Sequence, residues 1–84
     1  VLNRTRIDLL PIQEAVATAS PSAWRDGLVA ARDADTLTVA LLGGAVTVLA
    51  TRAAPAVGEP VAVHLVAEVL ALGSAWYSAR PVLS

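Results

Sequence analysis

The chain carries one histidine, His64, and a general base built on it needs a nucleophile or a held water beside it. Ser74 and Ser78 are the serines closest to it in sequence on the C-terminal side, and no GxSxG frame surrounds either. His64 therefore reads as a packed or interface histidine. Asp33 and Asp35 flank Ala34 at a spacing that could serve a cation, but two carboxylates in a tight turn are ordinary turn chemistry, and a turn is expected. Glu59 lies in a Gly-Glu-Pro turn and is expected to stay solvated. A phosphate-cradling loop at Gly43-Gly44 would need GxxxxGK[ST], and the chain has no lysine. No catalytic, cofactor-binding or metal-ligating constellation emerges, and no small-molecule substrate is expected.

Trp24, Trp76 and Tyr77 are the only aromatic residues. In an oligonucleotide-binding barrel such side chains stack on bases within a basic groove. Trp76 and Tyr77 are adjacent, so on a strand they face opposite ways. Trp76 is expected inward, with Tyr77 outward near Arg80. The arginines at 4, 6, 25, 32, 52 and 80 are dispersed, as solvated or ion-paired surface charges would be. Their planar forks also suit carboxylates on a neighbouring subunit. In a ring they would line a channel that passes DNA without sequence preference.

These residues sit in a chain of 84, enough for one small domain. Folding a chain of this size hides roughly 60% of its extended surface, which leaves an isolated monomer marginal. There is no cysteine, so disulfides and thiolate metal sites are excluded as staples, and one histidine makes a structural zinc implausible. Hydrophobic residues make up 56% and charged residues only 15%, where a small domain should need more charge. Apolar surface covered by another subunit accounts for this. The net charge of −1 supplies no general attraction to nucleic acid or anionic lipid.

Every basic residue is arginine, and alanine far outnumbers residues with A/T-rich codons. That bias suggests a high-G+C genome, actinobacterial or that of a phage infecting such a host. No membrane span is expected, since the uncharged stretch from Thr36 to Thr51 is broken by Gly43-Gly44. No signal peptide is visible either, as Arg4, Arg6 and Asp8 interrupt the start. With a Met removed before Val1, the expectation is a complete cytosolic product.

Residues 1–14 read as an extended arm that Pro11 stops, docked on its own barrel or on a neighbour. Arg4, Arg6, Ile7, Leu9 and Leu10 are its candidate subunit contacts. The remainder, 15–84, reads as one small β-barrel domain, entered through a short apolar run at Ala15–Ala19. Gly27–Arg32 is a strand, Asp33–Asp35 a turn, and Thr36–Leu42 an alternating strand. Gly43-Gly44 predicts a two-residue hairpin turn into Ala45–Arg52. Ala53–Pro60 is a loop. Val61–Leu72 suits either a helix framed by Pro60 and Gly73 or a strand with Val61, Val63 and Leu65 inward and His64 outward; strand is preferred. Ala75–Arg80 closes the set. Five candidate strands and short loops predict an all-β fold, a small OB/SH3-like barrel with an extended N-terminal arm. The expected barrel core is Leu37, Val39, Leu41, Val46, Val48, Val61, Val63 and Trp76.

The order GLVAARDADTLTVALLGGAVTVLA, AAPAVGEPVAV and AWYSAR within Gly27–Arg80 resembles small OB-like barrels of tailed-phage virion proteins. The shared features are a strand, an acidic turn, an alternating strand, a Gly hairpin and a "P-x-VG-[DE]-x-V" turn, here Pro55–Val61. The segment after Val61 is longer than that pattern, and the arm has no counterpart in it. The resemblance implies a structural role in the virion, assembled in the host cytoplasm. The subunit would form a homo-oligomeric ring in a head–tail connector, as a head-completion or stopper protein, or in the tail, and would contact other virion proteins. A capsid decoration or cement protein and an oligonucleotide-binding OB module are the alternatives. The family's motifs are structural and carry over no catalytic residue and no cofactor.

Overall fold

A computed structural model describes residues 5–82. The fold is all-β: a closed six-stranded antiparallel barrel, with one strand added outside it and one short helix. The elements are β1 (Thr5–Ile7), α1 (Pro11–Ala19), β2 (Trp24–Arg32), β3 (Thr36–Leu41), β4 (Val46–Thr51), β5 (Pro60–His64), β6 (Val69–Leu72) and β7 (Ala75–Pro81). A single 3-10 turn at Pro21–Ala23 leads from α1 into β2. The barrel consists of two three-stranded meanders, β2-β3-β4 and β5-β6-β7, joined by the β2–β5 and β4–β7 pairings.

The interior is filled by alternate residues of every strand, as a pleated sheet requires. Val29, Leu37, Val39, Leu49, Val61, Val63, Leu70 and Ala79 are buried there, with Leu41, Leu72 and Tyr77 packed against them. Gly27 also faces inward, where a Cβ would lie 2.8 Å from the Ala40 carbonyl oxygen and from Val39 Cγ1. Only glycine lets β2 approach β3 this closely. At the far end of β2 the register shifts between Val29 and Ala31, a bulge that bends the strand around the barrel.

Val61–Leu72 is neither one helix nor one strand. It forms two strands around a four-residue turn, with His64 opposite Val69. Glu68 closes that turn at φ 59°, a left-handed conformation that needs no glycine when the fold enforces it. The strand count rises accordingly. Val61 and Val63 do face inward, whereas Leu65 lies in the turn and is exposed.

The β3–β4 hairpin departs from expectation by one residue. Ala40 pairs with Val46, and the Leu41 N–H donates to the Ala45 carbonyl at 2.8 Å. The loop is therefore Leu42-Gly43-Gly44, three residues rather than two, with Gly44 at φ 99°. A one-residue slip turns every side chain of a strand to its other face. Leu49 thus fills the core, while Val46 is exposed and the half-buried Val48 shares the outer face. Trp76 and Tyr77 are exchanged in the same sense, because Tyr77 pairs with inward-facing Leu70 and Trp76 with outward-facing Ala71.

Residues 1–14 do not form a single extended arm. β1 pairs in parallel with Ala75–Tyr77 of β7, along the edge that β4 leaves free beyond Thr51. Pro11 then starts α1 at its first position, where its missing N–H costs nothing, so the expected boundary at residue 14 falls inside this helix. Among the described residues, no helix is long and apolar enough to cross a membrane.

The register makes a sharp distinction in equilibrium urea unfolding. Leu49→Ala should cost about 2–5 kcal/mol, and Val46→Ala under about 0.5 kcal/mol. Comparable losses at both positions would refute the three-residue loop. Gly27→Ala should cost about 1–3 kcal/mol through overpacking against β3, seen as a lower midpoint at constant m.

Candidate functional site

The residues with chemical potential divide among three regions of the barrel surface. The first lies beneath α1. Ala17, Ala67 and Val69 form a small second core, with Leu9, Val16, Trp24 and Trp76 packed against it. Its polar centre is His64, which is fully buried although it stands on the outer face of β5. His64 Nδ1 accepts the Ala67 N–H at 3.0 Å, and Nε2 lies 2.9 Å from the Ser20 carbonyl oxygen. A backbone N–H on one nitrogen and a carbonyl on the other define the neutral tautomer protonated at Nε2. Both nitrogens are thus committed to the backbone. The edge of the ring meets Trp24 at a centroid separation of 5.2 Å, and Trp24 meets Trp76 at 5.0 Å. All three aromatic residues are partly buried, two under α1 and Tyr77 against the barrel interior, so they offer no open stacking platform.

Gln13 ties this region together. Its Oε1 accepts the Leu10 N–H at 2.9 Å. Its Nε2 donates to the Glu68 carbonyl at 2.9 Å, the Ala67 carbonyl at 3.3 Å and Ser78 Oγ at 3.1 Å. A glutamine at the third position of a helix that opens Leu-Pro is a recognisable capping signal. That its other end would reach residues more than fifty positions away had no local signature. Asp8, at φ 51°, accepts the Ser78 N–H at 3.1 Å and so carries the β1 pairing one residue further along β7.

The second region is the barrel end formed by the β2–β3 turn and the β4–β5 loop. An open cleft of about 600 Å³ is lined there by Arg32, Asp33, Asp35, Thr51 and Arg52 among others. A shallower one, about 310 Å³, adjoins it at Asp8, Asp35, Ser78 and Arg80. Asp33 Oδ1 accepts the Ala34 N–H at 3.0 Å, which is turn chemistry. Arg32 donates to the Ala54 and Pro55 carbonyls, and Arg25 to those of Ser22 and Trp24. Among the described residues, no group of three or more His, Cys, Asp or Glu side chains is placed to hold a metal ion. Glu59 is half-buried rather than simply solvated, because its carboxylate accepts the Ala56 N–H at 3.0 Å. The adjacent Gly58 N–H donates to the Val29 carbonyl at 2.7 Å, so the Pro55–Val61 turn extends the β2–β5 seam.

The third region is apolar. Leu28, Ala40 and Val46 lie in register across the outer faces of β2, β3 and β4. Leu42 is held beside them by its N–H bond to the Asp26 carbonyl, and Val82 by its bond to the Val48 carbonyl. Leu42 is 76% exposed and Val46 64%, and among the described residues no helix or loop covers them. A second set, Leu10, Ile12, Leu65 and Val66, is exposed around the start of α1 and the β5–β6 turn. Of the expected subunit contacts, Ile7 is paired on β7, Leu9 packs into the second core and Arg6 forms an ion pair with Glu14. Leu10 alone presents a largely exposed apolar side chain. Arg4 lies outside the described residues.

Comparison with protein-family models, with curated proteins and with solved structures finds no match to this chain. The arrangement of the surface itself is what bears on function.

His64→Leu should lower stability by about 2–4 kcal/mol, because it leaves the buried Ala67 N–H and Ser20 carbonyl without partners. Gln13→Ala should cost about 1–3 kcal/mol by the same mechanism. Thermal unfolding monitored by tryptophan fluorescence reports both, since Trp24 and Trp76 border the site.

Proposed function

We propose that this protein is a self-assembling structural subunit of a tailed-phage virion, a component of the head–tail connector or tail. The observation that carries the assembly reading is the apolar outer face across β2, β3 and β4, which the described residues leave uncovered. A closed barrel has used its interior to bury its core, so apolar side chains on its outside gain nothing until another surface meets them. The charged fraction of 15% supports the same reading. The virion placement draws on the resemblance of Gly27–Arg80 to small virion barrels. No reaction enters this role. The barrel's work is to present a rigid surface at a defined angle to its neighbours, and hydrogen-bonded closure supplies that rigidity.

Light scattering on the purified chain over a hundredfold concentration range tests the assembly reading. A defined oligomer is the expected result. A monomer of 8.6 kDa at every concentration would overturn self-assembly.

A further inference from the structure

The shoulder of the barrel, where α1 lies over β5 and β6, is closed by one titratable ring. His64 is fully buried and is the chain's one histidine. Its Nε2–H donates to the Ser20 carbonyl at 2.9 Å, just past the end of α1. Its Nδ1 accepts the Ala67 N–H at 3.0 Å, in the β5–β6 turn. The ring thus joins the helix exit to the turn, as Gln13 joins the helix start to it. A helix of nine residues is too short to persist in water by itself, so α1 depends on these bonds and on the second core. The side chains packed in that core are alanine, valine, leucine and tryptophan, none of which titrates. The charged groups of the surrounding elements meet other partners or water. Glu14 of α1 is paired with Arg6, Asp8 accepts the Ser78 N–H, and Arg25 of β2 donates to the Ser22 and Trp24 carbonyls. Asp26 of β2 and Glu68 of the turn are exposed, and Tyr77 of β7 packs against the barrel interior.

This geometry admits the ring in one protonation state only. A proton added at Nδ1 would point at the Ala67 N–H, donor against donor. It would also place a charge out of water, with backbone atoms and no carboxylate on the two nitrogens. From this arrangement we infer that His64 is an acid-operated latch: protonation releases α1 and the β5–β6 turn from the barrel, while the barrel stays closed. The closed form holds the ring neutral, whereas in the released form the ring meets water and takes up the proton. Acid therefore favours release, by up to about tenfold per pH unit for one proton. The barrel outlasts the latch because its interior is a separate cluster from the second core, closed by main-chain pairing on every strand. Release uncovers Trp24, Trp76 and the apolar floor around them, so the surface that the protein presents depends on the acidity around it.

Lowering the pH of the purified chain from about 8 to about 5, across the range in which histidine titrates, tests the latch. With a single histidine in the chain, the ring signals in an NMR spectrum report its protonation directly. The expected result is one transition. At it the ring titrates, tryptophan emission shifts to the red, and the α1 and Ala67 amides lose exchange protection while those of β3 and β4 keep theirs. His64→Asn retains an acceptor for the Ala67 N–H and His64→Gln a donor for the Ser20 carbonyl, and neither takes up a proton. Both should be less stable than the parent chain and show no transition across this range. A transition that persists in a folded variant would assign it to another group and overturn the latch. So would a parent chain whose shoulder stays protected down to about pH 5, or a release that takes the β3 and β4 amides with it. Should neither variant fold, the parent chain decides alone: ring titration and α1 release at one pH sustain the latch, and ring titration with α1 still protected overturns it.

Discussion

Closure through β7 is the constraint on which the rest of the molecule depends. Its first half pairs with β6 on one edge and β1 on the other, and its second half passes to β4. This one strand joins the ends of the two meanders. Without it, Leu49 on β4 and Leu70 on β6 would lie at the edges of open sheets instead of inside a cylinder. The Ala79 N–H, bonded to the Glu68 carbonyl at 2.9 Å, marks where β7 leaves β6 for β4. The same departure opens the stretch of edge that β1 and Asp8 fill.

Closure also creates an outside, and the chain treats its sectors differently. Over β5 and β6 the outward side chains are covered by α1, and the buried polar groups there are satisfied by two side chains, His64 and Gln13. A buried N–H or carbonyl without a partner would cost as much as a missing apolar contact, so these two residues are as structural as any leucine in the barrel. Over β2, β3 and β4 no described segment supplies such cover. The outward positions there include Leu28, Ala40, Val46 and Val48, with Thr38 only partly buried. The exposed apolar side chains of this sector and the charged clefts at the β2–β3 turn occupy different parts of the barrel surface.

Much of the architecture was legible in local pattern. The alternation of Thr36–Leu41 reflects a strand with one face buried, and its inward residues Leu37 and Val39 follow from that period alone. The Asp33–Asp35 turn and the Gly58 turn depend on residues whose short-range chemistry defines the bend. Less legible were features in which distant segments compete. The hairpin at Leu42–Gly44 satisfies two loop lengths by sequence, and only the pairing of β4 with β7 as well as β3 selects the one that sends Leu49 inward. Val61–Leu72 satisfied a helix, a strand and a hairpin, since alanine, valine and leucine dominate its turn as well as its strands.

What the sequence by itself determined is therefore the fold class. It specified a small all-β barrel, because apolar alternation at period two has one face to hide. The tertiary structure alone decided which side of β4 and of β7 is the inside. Trp76 against Tyr77 and Val48 against Leu49 are choices between apolar neighbours, and local preference scarcely separates them. The register of the closed barrel does, because a slip of one residue reverses every side chain on the strand.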